Sequence, residues 1–279
     1  MSMRAVSRLT ASVLTAALLV SCTGTGGDGG TPTTATKATP AAKAADAPYA
    51  STYKPYPGMA TAITNVTLYD GEGGKIENAT LFMSGGKITS VGGPDTPIPA
   101  DIAVFDGRGK FVTPGIIDIH SHLGDYPTPS VAAHDDGNEA TDPTTPEVWA
   151  EHSVWPQDPG FSRAMANGGI TSLQILPGSA NLMGGRSVTL KNVPATSVQG
   201  MKFPGAPYGL KMACGENPKR VYGGKGRMPS TRMGNLAVNR QTWIAAQEYK
   251  RKVDAGERVT RDHDPVRDTV IALRKRNHS

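Results

Sequence analysis

Cysteine is nearly absent: only Cys22 and Cys214 occur in 279 residues. At most one disulfide can form, so a small scaffold stapled by several bridges is excluded. Aromatic residues make up 6% of the chain and charged residues 19%. So low a charge excludes the highly charged class of disordered chain. No heptad pattern persists, which removes coiled coils. The longest apolar run, from Leu9 to Val20, falls short of the roughly 20 residues that cross a bilayer. No Gly-Lys-Thr/Ser phosphate loop is present, and the one Gly-x-Gly-x-x-Gly match, Gly24 to Gly29, opens no helical pattern and so makes no nucleotide fingerprint. Ser179 and Ser187 lack a neighbouring His that would activate them as nucleophiles.

What the sequence has in excess is Gly, at 33 residues, and Pro, at 22, well above the roughly 12% combined of average usage. Its charge is also unevenly placed. Residues 118–160 hold nine acidic residues, no Lys or Arg, and four of the six histidines. Residues 161–279 hold twenty basic and seven acidic residues, scattered among Gly, Pro and Met. That scatter contains no dense basic helix and no aromatic-rich RNA signature, so no nucleic-acid partner is expected.

Arg4 and Arg8 precede the apolar run, which ends in Leu19-Val20-Ser21-Cys22. A basic start, a short apolar core and small residues at the end make residues 1–22 an export signal. The last four residues resemble a bacterial lipobox, which would make Cys22 a lipidation site. The expected product is an exported lipoprotein, anchored to a membrane on the periplasmic side or the cell surface. Residues 23–55 are mostly Gly, Thr, Ala and Pro. They bury too little apolar surface to offset ordering entropy and are expected to be a flexible linker. Cys214 is expected to be a small core residue.

Residues 56–112 change pattern. Runs at 62–69, 79–83, 87–91 and 102–106 are separated by Gly-rich turns, which predicts a small antiparallel sheet. Then comes Pro114-Gly115-Ile116-Ile117-Asp118-Ile119-His120-Ser121-His122. Its isoleucines predict a short strand of the buried kind. Side chains alternate along a strand, so His120 and His122 fall on one side, one pleat apart, where two imidazoles can hold one metal ion.

That nonapeptide resembles the first-strand signature of the amidohydrolase superfamily. Asp136-Gly137-Asn138-Glu139-Ala140-Thr141-Asp142-Pro143, Gly169-Ile170-Thr171-Ser172-Leu173-Gln174 and Lys211-Met212-Ala213-Cys214-Gly215-Glu216-Asn217-Pro218 are similar to the imidazolonepropionase-like members in particular. The resemblance runs collinearly from about residue 60 to about residue 258. It implies an α/β fold: a metal-dependent-hydrolase TIM (β/α)8 barrel, here partial over residues 113–258, preceded by a small β-sandwich (composite) domain over 56–112. It also implies one or two divalent metals, Zn²⁺ being the expected one, at the C-terminal ends of the strands.

Hydrolysis of an amide or peptide small molecule then needs a strong nucleophile, and a bound metal brings the pKa of water to about 7. A carboxylate must move the proton. His120 and His122 are the expected metal ligands. The family's bridging ligand is a carboxylated Lys or a Glu, and both Lys211 and Glu216 are candidates, with Glu216 taken as the metal ligand. The Gly-rich loop 177–185 leads to Arg186, expected to meet a substrate carboxylate. His134, Asp135, Asp136, Glu139 and Asp142 are read as a long loop shaping the site, and His152 as a packing residue beside Trp149 and Trp155.

The family's remaining ligands are two histidines on the fifth and sixth barrel strands and an aspartate, also its proton shuttle, on the eighth. After His122 only 157 residues follow, whereas a full barrel uses about 250. His263 and His278 lie in a divergent charged tail, residues 259–279, with no apolar strand before either. No catalytic residue is therefore assigned. The expected function is a truncated metal-dependent hydrolase of C–N bonds, inactive as this chain. The alternative is a non-catalytic exported lipoprotein that keeps the scaffold for binding.

Overall fold

A computed structural model describes residues 50–257. The expected export signal, Cys22, most of the linker and the charged tail with His263 and His278 lie outside the described residues. No helix among the described residues is long and apolar enough to cross a membrane.

The first strands form one mixed five-stranded sheet. β1 (Thr61–Tyr69) pairs antiparallel with β2 (Lys75–Ser84), which pairs antiparallel with β3 (Lys87–Gly92). On its other side β1 runs parallel to β4 (Ala103–Asp106) and to β5 (Phe111–Val112). The antiparallel expectation is thus corrected: β3 lies beyond β2, and the chain then crosses to the free side of β1, where β4 and β5 run in β1's direction. Strand alternation buries Ala62, Thr64, Val66 and Leu68 along β1. Val66 and Leu68 pack with Ala79 and Leu81 of β2 in a small core. Asn65 (φ +57°) and Asn78 (φ +51°) take left-handed backbone where the β1–β2 register shifts. A short polar side chain tolerates that conformation better than a branched apolar one.

After the Pro-Gly turn, β6 (Ile116–Ser121) runs parallel to β7 (Ile170–Ile175), and β7 pairs antiparallel with β9 (Val188–Lys191). The β6–β7 crossover contains a long loop and then α1 (Pro159–Gly168). Local chemistry sets both ends of α1. Asp158 caps it by accepting from Gly160 N–H, Pro159 opens the first turn, and Gly169 closes it at φ +63°. The larger core gathers Phe161 of α1, Leu173 and Ile175 of β7, Val188 and Leu190 of β9, and Val198 and Met201 of α2 (Val198–Met201). Beneath it, buried Glu151 takes hydrogen bonds from Lys202 and Tyr208.

Two sequence expectations change here. β6 is not of the buried kind, for Ile116, Ile117 and Ile119 are 52%, 65% and 74% exposed. Among the described residues β6 is an edge strand whose only partner is β7. The loop expected at 177–185 ends in β8 (Met183–Arg186), which pairs antiparallel with β10 (Leu210–Met212). Gly185 opposes Lys211 there and holds φ +111°, a conformation glycine allows without strain. Two helices follow, α3 (Glu216–Gly223) and α4 (Arg232–Asp254). Cys214, expected in a core, is exposed in the turn between β10 and α3. At the other end, Ser51 and Thr52 already bond Lys202 O and Gln199 O, within the stretch expected as linker.

Candidate functional site

β6 delivers His120 at its penultimate residue, and His122 follows one residue beyond its end. The strand's alternation turns both rings the same way, and they meet edge to face with centroids 5.3 Å apart. His122 Nδ1–H donates to the Leu176 carbonyl at 2.7 Å, just past the end of β7. That bond fixes the tautomer and leaves Nε2 as the outward acceptor, the arrangement a metal-ligating imidazole takes from its surroundings. Asp118 Oδ1 accepts the His120 backbone N–H at 3.0 Å and steadies the end of the strand.

Lys211 arrives from β10, ninety-one positions along the chain, and its Nζ stands 3.2 Å from His120 Nε2. Lys211 is 6% exposed. Burial moves its ammonium below the ordinary lysine range. The nearby Lys211 charge, then burial and His122, lower His120 from its usual value and favour its neutral form. Glu216 is placed differently. It opens α3 and pairs its carboxylate with Arg220 Nε at 3.0 Å, with its side chain 73% exposed. Among the described residues no third His, Cys, Asp or Glu joins His120 and His122 in a metal-holding group.

Arg186 lies inside the fold, 4% exposed, with its guanidinium 4.0 Å from the centre of the Trp149 ring. His134 packs against Trp155 and His152 against Trp149. The acidic loop is tied down from two sides. Asn181 Nδ2 donates to the Glu139 and Asp142 carbonyls, while Arg227 pairs with the Asp142 carboxylate at 2.7 Å.

Two residues at the site went unread in the sequence. Tyr126 sets its ring edge to face with His122, centroids 5.8 Å apart. Burial and the charges of Asp135 and Asp125 raise its hydroxyl above the usual tyrosine range, so it stays protonated. Asp125 is fully buried. Burial, reinforced by Asp136 and only partly offset by a hydrogen bond from Ser153, pushes its carboxyl up to about 8. The only sequence signal for either is their place, three and four residues beyond His122.

The chain is similar to known proteins. No family model matches the chain. It is 35% identical over 222 residues to the amidohydrolase tasK of Hapsidospora irregularis, covering 71% of this chain and 22% of that protein. It is 43% identical over 63 residues to the imidazolonepropionase of Idiomarina loihiensis, covering 22% of this chain and 15% of the other. The crystal structure of an amidohydrolase from Thermotoga maritima MSB8 superposes with a TM-score of 0.69 at 36% identity, covering 77% of this chain and 55% of that one. These matches in sequence and fold support a place for the chain in the amidohydrolase superfamily. Within that superfamily it is imidazolonepropionase-like. It spans about a fifth of the curated amidohydrolase and just over half of the solved one.

Proposed function

We propose that this chain carries the metal-binding part of a hydrolase that cleaves C–N bonds of amides, cyclic amides or peptides. The observation that carries the reading is the convergence of His120, His122 and Lys211 at strand ends, with Lys211 Nζ 3.2 Å from His120 Nε2. The donor set fits a borderline cation such as Zn²⁺. Both imidazoles can present Nε2, one of them already oriented by the Leu176 carbonyl. Lys211 fits only in altered form, since an ammonium at that distance repels a cation. Its neutral amine can add to carbon dioxide and release a proton, giving a carbamate whose oxygens ligate. This favours Lys211 over Glu216 as the bridging residue, because the Glu216 carboxylate is turned to Arg220 and solvent.

A divalent cation bound there would supply Lewis-acid activation of water and of the scissile carbonyl. The chain's own residues do the positioning: Leu176 O sets the His122 ring, Asp118 sets the end of β6, and Asn181 ties the acidic loop to the segment after β7. The names of the relatives, amidohydrolase, imidazolonepropionase and dihydroorotase, favour a small-molecule substrate. Turnover needs a proton shuttle that no described residue is assigned, so the chain by itself is inactive. The lipobox-like Cys22 supports an exported protein held at a membrane by lipid.

Zinc content and amide or dipeptide hydrolysis, measured on the 279-residue chain, test the reading. Bound Zn²⁺ should be lost in His120→Ala and weakened about tenfold or more in Lys211→Ala, with no turnover in any form. Zinc binding indifferent to His120 would sink the metal assignment. Turnover that His120→Ala abolishes would sink the claim of inactivity.

A further inference from the structure

Among the described residues no acceptor takes the proton of the Tyr126 hydroxyl. Ala180 N–H donates to Asn138 Oδ1 at 2.9 Å, which fixes the direction of the Asn138 amide. Its amino group is therefore the end that meets Tyr126, and it donates to the phenolic oxygen. An oxygen that accepts from Asn138 keeps its own O–H to give elsewhere. The two loops close tightly around this pair. A Cβ on Gly137 would come 2.1 Å from Tyr126 Cζ, and one on Gly178 would come 2.0 Å from Asn138 Nδ2 and 2.3 Å from the phenolic oxygen. The hydroxyl is thus held in place, yet the residue is 38% exposed and its ring borders His122.

We propose that Tyr126 donates its phenolic O–H to the carbonyl oxygen of a planar amide bound beside His122. The identity of the ligand rests on the amidohydrolase reading; the spare donor does not. An amide oxygen gains negative charge as its carbon is attacked, so a donor fixed in advance stabilises the attacked form more than the resting one. Asn138 acts as a positioning residue, since its amide bonds the phenol on one side and the Ala180 backbone on the other.

The test titrates the zinc-loaded full chain with hydantoin and with dithiohydantoin, whose sulfurs accept hydrogen bonds weakly. Tyr126→Phe should weaken hydantoin binding by roughly five- to tenfold, leave dithiohydantoin within about twofold, and leave zinc content unchanged. Asn138→Asp puts an acceptor where the donor was and captures the phenolic proton. It should cause the same selective loss with the ring still present. Equal binding of hydantoin by wild type and Tyr126→Phe, or equal losses for both probes, overturns the proposal. Binding of neither probe overturns it together with the functional reading. Tyrosine-dependent hydantoin binding in a chain that holds no zinc upholds Tyr126 and removes the metal assignment alone.

Discussion

Asp125 shows what burial costs an ionisable group so close to the site. Its carboxyl is raised to about 8, chiefly by burial, while an unfolded aspartate titrates near 3.8. Between those values the folded chain holds a proton that the unfolded chain has released. Stability should therefore fall as pH rises from about 4 to about 8, then level off. Thermal unfolding across that range should show the fall, and Asp125→Asn should remove it. An unchanged slope in the variant would mean that another group carries the effect. His120 and His122 were legible because strand alternation is local and puts i and i+2 on one side. Lys211 was one of two candidates, and only the β8–β10 pairing brings it to His120. Tyr126 and Asn138 were not legible as a pair, because their meeting depends on two glycines and on Ala180 in a separate loop.

At the scale of elements, Asp158 joins the helix to the site. Besides capping α1, its buried carboxylate accepts from Gly124 N–H at 3.0 Å and Thr128 N–H at 3.2 Å, in the loop that leaves His122. Asp158→Ala should cost about 1–2 kcal/mol in urea unfolding through the cap. It should also speed amide hydrogen exchange in residues 124–128. A stability loss with unchanged exchange there would leave Asp158 as a helix cap only. The sequence marked the runs that become β1, β2 and β3, since apolar spacing and glycine turns are local signals. It misjudged β6, because three isoleucines look the same in a central strand and at an edge. Exposure at β6 follows from which neighbours the strand has, and that is not written in its own residues.

The whole molecule sets the terms on which the site can work. Its match to a solved amidohydrolase covers 55% of that structure, and the described residues bring His120, His122 and buried Lys211 together without a group of three or more His, Cys, Asp or Glu that could hold a metal ion. The expected export route belongs to this scale too. Globomycin, which blocks lipoprotein signal cleavage, should make the precursor accumulate, and Cys22→Ser should release the protein from membranes. Processing indifferent to the drug, or full membrane retention in the variant, would remove the lipid anchor. The composition read from sequence, with few cysteines and an acidic block rich in histidine, pointed to a loop-rich chain with its chemistry near residue 120.

The sequence by itself determined the histidine pair, the ends of α1 and the likeness to amidohydrolases, because each rests on neighbours within a few residues. Tertiary structure alone decided that Lys211 rather than Glu216 faces His120, that Arg186 lies under Trp149, and that Tyr126 sets its ring against His122. Those outcomes depend on contacts between distant segments, where sheet pairing and loop closure, not residue type, select which side chains meet.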